Sequence, residues 1–461
     1  MSTKSIWSAP VLAAVFVILA ACSGKDDVSA VDSSVRAEDS NAAGDSVAVD
    51  TTADGKEVQP EACPAAMALE DYSTDVDETF DLGPYLMNPT PSSMVIMWRT
   101  ETPAGGTINY GTDEDKLDQT VSQDVDTLVH KLTLAGLEAA TLYLYQVESE
   151  GKTSSVLSFR TAPKPGTPFR LGVFGDNKNG VEKFTEEVPR ILADGPQIVL
   201  GLGDHVKDGQ SEPQQWKDYF FEPGRALLQK VPVFAVMGNH EQSADSFYDL
   251  YSFPNPYDDP RHESYYSFTY GNAFVVAIDM YQFPCPFGDV DTPHSAWLKE
   301  VVSSPEASAA TWRIAMSHEP GWSESWSPGN CAYEGTTCVR EGILPMLAEN
   351  DFHLYLAGHT HNYERGMVDD VVQIISGGGG STLDEWCVDL PTVSVVQCVF
   401  HHLRIDAGCD TMRIEAVGED SQVFDWVEIT AGEPGQIVDE GPIPDLPAPP
   451  INSDSSEERY P

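Results

Sequence analysis

The chain has 461 residues and a formal net charge of −47 at pH 7, from 73 acidic and 26 basic residues. This length exceeds one ordinary domain, so we predict two domains with flanking segments. The acidity opposes binding to a nucleic-acid backbone or to an anionic membrane surface. A solvated acidic surface explains the charge without any partner, although it also concentrates divalent cations.

The first residues have the pattern of an export signal. Lys4 precedes a largely apolar run from Ile6 through Ala21, which is too short to predict a membrane-spanning helix. The run ends in Leu19-Ala20-Ala21-Cys22, which resembles the cleavage and lipidation box of bacterial lipoproteins. That resemblance implies a signal peptide over residues 1–21 and an acylated Cys22 that anchors an exported protein to the membrane of the cell envelope. The alternative is an ordinary cleavage site beside a chance cysteine.

Two segments have compositions typical of disorder. Residues 22–78 are rich in Ser, Ala, Asp and Val, and residues 431–461 are rich in Pro and acidic residues. Such segments bury too little apolar surface to offset the entropy of ordering. We therefore predict a disordered acidic tether and a disordered tail.

Beyond Cys22 the chain has seven of its 8 cysteines. An exported protein folds in an oxidising compartment, so disulfides are expected, and the odd number leaves at least one thiol free or paired outside the chain. Short spacing makes Cys331–Cys338 and Cys387–Cys398 the first pairs to consider, although the sequence does not determine the connectivity.

Residues 79–163 consist of short alternating runs separated by turn residues, with no helical period. This pattern predicts a small antiparallel β-sandwich, with strands such as 94–98 and 106–110. Gly83-Pro84-Tyr85-Leu86, together with Trp98 and Tyr145, resembles the fibronectin-III-like N-terminal domain of purple acid phosphatases.

Residues 168–430 alternate largely apolar runs with helical patterns, which predicts an α/β domain. Runs such as Arg170–Phe174 and Phe274–Ile278 are typical of strands buried on both faces. The helical patterns lie near residues 182–194, 213–229, 294–303 and 340–349.

Potential metal ligands follow the ends of five strands of this domain. In chain order the motifs are Gly175-Asp176, Gly203-Asp204, Gly238-Asn239-His240-Glu241, Ser317-His318 and Gly358-His359-Thr360-His361. One His-x-His is weak evidence, but five motifs in order are specific. The series resembles the metallophosphoesterases, or calcineurin-like phosphatases, and with the preceding sandwich it resembles the bacterial relatives of purple acid phosphatases. The resemblance implies a four-layer αββα sandwich.

The resemblance also implies a site for two divalent or mixed-valence ions of Fe, Mn, Zn or Mg. A first ion is bound by Asp176 and His361, and Asp204 bridges it to the second. Asn239, His318 and His359 complete the second position. Metal-bound hydroxide is then expected to attack phosphorus, while His240 acts as the catalytic residue that contacts the phosphoryl group and protonates the leaving oxygen. A structural histidine is the alternative for His240.

Two departures from the family pattern concern the first ion. Many members have His two residues after the first Asp, where this chain has Lys178, and purple members have Tyr three residues after the second, where it has Lys207. A charged ammonium cannot coordinate a metal, so the first position is predicted to lack a protein ligand, with His205, Asp208 or water as replacements. Lys178 is either a substrate-binding residue or a surface lysine.

Two further features beside the motifs have structural interpretations. The run Ser376 to Gly380 is interpreted as a tight loop near the site, or as a phosphate-binding loop. Glu364 and Arg365 are interpreted as an ion pair behind the histidines.

Hydrolysis of phosphoric esters, with phosphomonoesters favoured, is the function that the resemblance implies. A phosphodiesterase, a nucleotidase and a non-catalytic surface binding lipoprotein on the same scaffold are the alternatives. The substrate, the metal and the oligomeric state stay open.

Overall fold

The computed structural model describes residues 63–211, 214–255, 263–283, 292–432 and 434–442. The predicted signal peptide, the predicted lipidation site Cys22, the first part of the predicted tether and the end of the predicted tail lie outside these ranges. Within them, no helix has both the length and the apolar character needed to cross a bilayer.

The N-terminal domain is all-β, as predicted. Its strands are β1 (Leu82–Thr90), β2 (Ser93–Gly111), β3 (Gln119–Ala135), β4 (Leu142–Ser149), β5 (Lys152–Thr153) and β6 (Leu157–Arg160). Strand β2 pairs antiparallel with β1, β3 and β4, so the runs predicted as separate strands at 94–98 and 106–110 belong to one long strand. Trp98, Tyr145 and Phe159 lie in the core of this domain.

The larger domain contains the remaining strands and all the α-helices of the described residues. Its strands are β7 (Phe169–Phe174), β8 (Ile198–Gly201), β9 (Val233–Ala235), β10 (Tyr266–Tyr270), β11 (Ala273–Ala277), β12 (Trp312–Met316), β13 (Ser325–Trp326), β14 (Leu354–Ala357), β15 (Tyr363–Val368), β16 (Val371–Ser376), β17 (Glu385–Trp386), β18 (Val393–Gln397), β19 (His401–Ala407), β20 (Thr411–Gly418), β21 (Val423–Thr430) and β22 (Ile437–Glu440). Its helices are α1 (Val181–Ala193), α2 (Arg225–Leu228), α3 (Asp245–Leu250), α4 (Pro293–Val302), α5 (Pro305–Ala309) and α6 (Leu344–Glu349). Helix α2 follows a π-helical segment, Trp216–Phe221, and α6 follows another, Val339–Ile343.

Two seven-stranded sheets form the centre of this domain, in the orders β10-β11-β12-β14-β16-β15-β18 and β22-β21-β20-β19-β7-β8-β9. Alternate residues of β11 face different layers because side chains alternate across a strand. Val275 and Ala277 belong to the core that joins the two sheets, whereas Phe274 and Val276 pack with residues of α4 and α6. Helix α1 packs on the other sheet through Phe184 and its neighbours. The predicted four-layer αββα sandwich is confirmed.

The tether was predicted to be disordered as far as residue 78, and this is wrong for residues 63–78. These residues form no helix or strand but are bound to the larger domain. Cys63 forms a disulfide with Cys409, and Asp77 exchanges backbone hydrogen bonds of 2.9 and 2.7 Å with the amide side chain of Gln229. Sequence composition missed these contacts because their partners lie more than a hundred residues away along the chain.

The predicted tail is also shorter than expected, because Ile437–Glu440 adds strand β22 to the edge of the second sheet. Glu440 pairs with Arg365 at 2.7 Å, and Arg365 pairs with the buried Asp425 at 2.7 Å. The predicted pairing of Glu364 with Arg365 is therefore wrong. Neighbouring residues of a strand point to opposite faces, so Glu364 instead accepts hydrogen bonds from Asn362 and Ser323.

The short-range disulfides considered from the sequence are not formed. Cys331 pairs with Cys387, with Cα atoms 5.4 Å apart, and Cys338 is also disulfide-bonded. The pairing of β13 with β17 brings the loops that carry Cys331 and Cys387 together. These disulfides indicate a protein that works outside the reducing cytoplasm.

Candidate metal centre

The predicted ligands lie just beyond the carboxyl ends of parallel strands. Asp176 follows β7, Asp204 follows β8, His318 follows β12 and His359 follows β14. The strands β7 and β8 belong to one sheet, and β12 and β14 belong to the other. Because the sheets pack face to face, the site lies where their carboxyl edges meet, which is the usual location of sites in open parallel sheets.

Three predicted ligands have a left-handed backbone, with φ of 59° at Asp176, 56° at Asp204 and 74° at His359. This conformation is uncommon outside glycine, costs about 1–3 kcal/mol per residue and concentrates at functional sites. Of the glycines that precede these three residues, only Gly203, with φ of 85°, is left-handed.

At two of the motif glycines, Gly238 and Gly358, there is no room for a side chain. A Cβ atom on Gly238 would lie 2.2 Å from Oδ1 of Asp204, and one on Gly358 would lie 2.4 Å from Oδ2 of Asp176. Both distances are far below van der Waals contact, so any side chain at these positions displaces a ligand carboxylate. The glycines thereby determine where the two carboxylates lie.

The glycine run after β16 is the predicted tight loop. The backbone N–H of Gly379 donates to the carbonyl of Gly175 at 2.9 Å, and that of Gly377 donates to the carbonyl of Asn362 at 3.1 Å. A Cβ on Gly377 would lie 3.0 Å from Oδ2 of Asp176. These two N–H groups are already used, so they hold the loops of Asp176 and His361 rather than a phosphate.

Three predicted ligands converge on Nε2 of a fourth, His318, and we call this cluster of four the second position. Nδ1 of His359 and Oδ1 of Asn239 each lie 3.2 Å from this nitrogen, and Oδ2 of Asp204 lies 3.3 Å from it. Nδ1 of His318 donates to the carbonyl of Leu202 at 2.7 Å, which directs Nε2 at the other three atoms.

The buried carboxylates attract positive charge to this cluster. Burial opposes ionisation of Asp204, yet the charges of His318 and Lys178 hold the pKa of Asp204 well below its usual value. Burial also opposes protonation of His318, but Asp204 and Asp176 raise the pKa of His318 to about 10. Ligand atoms of Asp176, Asp204 and His318 lie within 4.8 Å of one another, close enough to share one cation.

The other predicted ligands surround the ammonium group of Lys178, and we call this cluster the first position. Nζ of Lys178 contacts Oδ2 of Asp204 and lies 3.6 Å from Oδ1 of Asp176 and 3.2 Å from Nε2 of His361. The ring of His361 is held by a 2.8 Å hydrogen bond from Nδ1 to the carbonyl of Thr382. Lys178 is only 4% exposed, so its interpretation as a surface lysine is wrong.

Neither protein group considered as a replacement ligand enters the first position. His205 is buried, its Nδ1 lies 2.8 Å from Oδ1 of Asn177, and its ring packs against Phe220. Asp208 accepts the backbone N–H of Ser211 at 2.8 Å within a turn. These predictions fail because each side chain is already engaged in local structure.

Comparison with known proteins agrees with this architecture. Residues 169–363 match the calcineurin-like phosphoesterase family, and residues 84–161 match the N-terminal domain of purple acid phosphatases. The chain carries a calcineurin-like metallophosphoesterase domain.

Relatives of this chain include plant proteins. Purple acid phosphatase 23 of Arabidopsis thaliana is 26% identical over 52% of this chain and 57% of its own length, so the chain spans little more than half of that relative. A nucleotide pyrophosphatase/phosphodiesterase of Hordeum vulgare is 23% identical over 60% of this chain and 84% of its own length. The first of these relatives agrees with the predicted link to purple acid phosphatases.

Two solved structures resemble the fold. A purple acid phosphatase from yellow lupin seeds aligns with a TM-score of 0.64 at 16% identity, over 75% of this chain and 74% of that one. The structure of PhoD aligns with a TM-score of 0.61 at 13% identity, over 80% of this chain and 93% of that one. At these identities the likeness concerns the fold.

Purple-acid-phosphatase-type metallophosphoesterases use two metal ions, and the two positions of this chain differ in how well their donors fit an ion. The second position fits an ion, because a carboxylate, an amide oxygen and two imidazoles converge there. The first position fits less well, because it contains an ammonium group. Oδ1 of Asp176 has no hydrogen-bond donor among the described residues, although Lys178 lies nearby.

His240 lies at the open side of the metallophosphoesterase site, with its side chain 32% exposed. Its backbone N–H donates to Oδ1 of Asp204 at 2.9 Å, and Nδ1 donates to the carbonyl of Lys207 at 2.6 Å. Nε2 therefore faces the site and lies 4.0 Å from Oδ2 of Asp204. Lys207 contributes this carbonyl, while its side chain is exposed where purple members have a metal-binding Tyr.

Two positioning residues were not identified from the sequence. Glu241 is buried and accepts backbone N–H groups from Gly238 at 2.6 Å, His205 at 2.7 Å and Asp204 at 2.9 Å. Its position in the Gly-Asn-His-Glu motif, next to two predicted site residues, could have identified Glu241 from the sequence. Asp384 accepts the backbone N–H of His361 at 2.7 Å, and nothing in the sequence around it signals that role.

We expect Glu241→Gln to loosen the loops that carry Asp204 and Asn239. Glutamine has one carbonyl oxygen, so it cannot accept all three N–H groups, and its own NH2 faces a donor. The free energy of unfolding of the metal-free protein should fall by roughly 1–3 kcal/mol, and metal affinity should fall about 10–100-fold. Thermal unfolding and metal titration measure the two effects.

The matched control is Glu186→Gln on the exposed face of α1, where Glu186 forms a surface ion pair with Lys183. It should change stability by no more than about 0.5 kcal/mol. Equal effects of the two substitutions would show that Glu241 has no positioning role.

Proposed function

We propose that this protein is a metal-dependent hydrolase of phosphoric esters, with phosphomonoesters as the first substrate class. The observation that carries the proposal is the convergence of Asn239, His359 and Asp204 on Nε2 of His318, beside the partly exposed His240. An amide, two imidazoles and a carboxylate make a donor set for a divalent ion that keeps net positive charge. Such a site attracts the phosphate of a substrate.

Each residue around the second position has a distinct task. A metal ion bound there supplies Lewis-acid activation of water and of the phosphoryl oxygen. The carbonyl of Lys207 orients His240 so that Nε2 can donate a hydrogen bond to the phosphoryl group or a proton to the leaving oxygen. The ammonium of Lys178 lies next to Asp204, where it can bind a phosphoryl oxygen.

Aromatic rings beside the second position favour an ester with an aromatic leaving group. The ring centroids of Trp326 and Tyr333 lie 5.3 and 5.1 Å from that of His359. Both side chains are partly exposed, and the disulfide between Cys331 and Cys387 constrains the loop that carries them. Stacking on such rings suits an aryl group or a nucleobase.

Phosphodiester hydrolysis is the second candidate, because the barley relative is named a nucleotide pyrophosphatase/phosphodiesterase. The test uses protein stripped of metal and then supplied with Mn²⁺, Zn²⁺, Fe²⁺ or Mg²⁺. Hydrolysis of an aryl phosphate above that of a bis-aryl phosphate supports the monoesterase. The reverse order supports the diesterase. No hydrolysis with any metal would overturn the enzyme proposal in favour of a binding protein.

We also propose that the protein is exported and anchored by acyl chains on Cys22, with the β-domain as a fibronectin-III-like scaffold without chemistry of its own. The lipidation box and the disulfides support this location. Cys22→Ser should move the protein from the membrane fraction to the soluble fraction, as followed by cell fractionation and immunoblotting. Cys398→Ser, in the folded domain, is the matched control and should stay with membranes. An unchanged distribution of Cys22→Ser would refute the anchor.

A further inference from the structure

Lys178 occupies the place where a two-ion centre needs its first ion. Its Nζ contacts Oδ2 of Asp204 and lies 3.2 Å from Nε2 of His361 and 3.6 Å from Oδ1 of Asp176. These are the three protein atoms that the first position offers. We propose that the ammonium of Lys178 takes the place of the first metal ion, so that the chain binds one ion, at the second position. The inference deepens the proposed function and rests on it for the role of the site.

Space excludes the ammonium and an ion from sharing the first position. A transition-metal ion needs carboxylate oxygen and imidazole nitrogen donors at about 2.0–2.2 Å. An ion bound to both Oδ2 of Asp204 and Nε2 of His361 would lie in the volume that Nζ fills, since Nζ is within hydrogen-bond distance of both atoms. One cation must therefore leave for the other to bind.

Charge makes Lys178 a stable occupant. Asp176 and Asp204 both have 0% exposure, and two buried carboxylates need a nearby cation. The ammonium supplies one from within the chain. Its stem is enclosed, and the backbone N–H of Lys178 donates to the carbonyl of Asp204 at 3.1 Å, so the side chain begins next to the carboxylate that it contacts.

The first position also lacks the ligands that would let an ion displace the lysine. Lys207 stands where purple members have a metal-binding Tyr, and its side chain is exposed. His205 is engaged with Asn177. Among the described residues, Asp176, Asp204 and His361 are the predicted ligands that remain there, whereas the second position has a set of four donors and contains no lysine ammonium.

In this arrangement the ammonium performs two tasks that an ion performs in a two-ion site. It neutralises Asp204, and it offers N–H groups to a phosphoryl oxygen. Unlike an ion, it cannot act as a Lewis acid toward water, so the second position alone supplies that chemistry. This assigns Lys178 as a substrate-binding residue through the same contacts that exclude the first ion.

The test counts metal ions per chain. Purified protein is loaded with excess Mn²⁺, freed of unbound ions by gel filtration, and measured by inductively coupled plasma mass spectrometry against protein concentration. The wild type should hold one ion per chain. Lys178→Ala, which empties the first position, and Lys178→His, which adds a ligand to it, should each hold two. Lys207→Ala, which removes an exposed lysine, should hold one.

Two ions in the wild type would overturn the proposal, as would none, and so would one ion in both Lys178 variants. Electron paramagnetic resonance of the Mn²⁺-loaded proteins is a second readout. The wild type should show an isolated ion, and Lys178→His should show a spin-coupled pair. The metal content and the electron paramagnetic resonance spectrum of the wild type decide between one ion and two even if a Lys178 variant fails to fold. A wild type with one ion and no hydrolysis leaves this inference standing and removes the enzyme proposal, whereas two ions with hydrolysis do the opposite.

Discussion

Replacement of Asp204 by Asn is expected to abolish metal binding and hydrolysis together. Oδ2 of Asp204 lies 3.3 Å from Nε2 of His318 in the second position and contacts Nζ of Lys178 in the first. Its Oδ1 accepts the backbone N–H of His240 at 2.9 Å. The substitution therefore removes the one carboxylate that both positions share and that also holds the loop of the catalytic histidine.

The expected size of this effect follows from what a metal ion contributes. An ion stabilises the transition state by several kcal/mol, and about 1.4 kcal/mol corresponds to a tenfold change in rate. We therefore expect kcat/KM to fall at least about a thousandfold. Metal content by mass spectrometry should fall in parallel, with secondary structure by circular dichroism retained.

Asp118→Asn is the matched control, because Asp118 pairs with Lys116 on the surface of the β-domain. It should leave metal content and activity unchanged. An Asp204→Asn protein with wild-type metal content and wild-type kcat/KM would refute the assignment of Asp204.

Replacement of His240 by Asn should lower kcat with little effect on metal content. The ring of His240 is held by the carbonyl of Lys207 and lies 4.0 Å from Oδ2 of Asp204, and Nε2 points into the site. Its interactions therefore develop mainly with the transferring phosphoryl group and the leaving oxygen. Loss of such an acid or hydrogen-bond donor costs about 10²–10⁴-fold in rate, so kcat should fall within this range while KM changes less.

Leaving-group dependence separates a catalytic role of His240 from a structural one. A proton donor matters most for poor leaving groups, so the defect of His240→Asn should grow from a nitrophenyl ester to an alkyl ester. Lys207→Ala keeps the carbonyl that holds His240 and should retain wild-type kcat. A defect of equal size for both esters, or a loss of metal from His240→Asn, would contradict the catalytic role.

Several features follow from local sequence and were predicted from it. Apolar runs at strand spacing predicted both the β-domain and the α/β domain, because burial on one or two faces imposes the pattern of side chains along each strand. Predicted ligands such as Asp176 and His318 directly follow such runs. In an α/β domain the carboxyl ends of parallel strands lie at one edge of a sheet, so the fold class predicted that these ligands lie close together.

Other features depend on contacts between distant parts of the chain. The disulfide between Cys331 and Cys387 follows from the pairing of β13 with β17, and Arg365 meets Asp425 across the sheets. Spacing along the sequence does not identify either partner, because other cysteines and other acidic residues are equally plausible partners by that criterion. The binding of residues 63–78 to the larger domain was missed on the same grounds.

The two lysines of the site illustrate the difference between what the local sequence determines and what tertiary contacts determine. The sequence by itself determined that Lys178 and Lys207 replace residues that the family uses near the first ion, and that neither ammonium can be a ligand. Only the tertiary structure decided that Lys178 is buried between Asp176, Asp204 and His361, while the side chain of Lys207 is exposed. The physical reason is that the direction of a long side chain depends on the charges and the space around it, and here these come from loops that meet only in the folded protein.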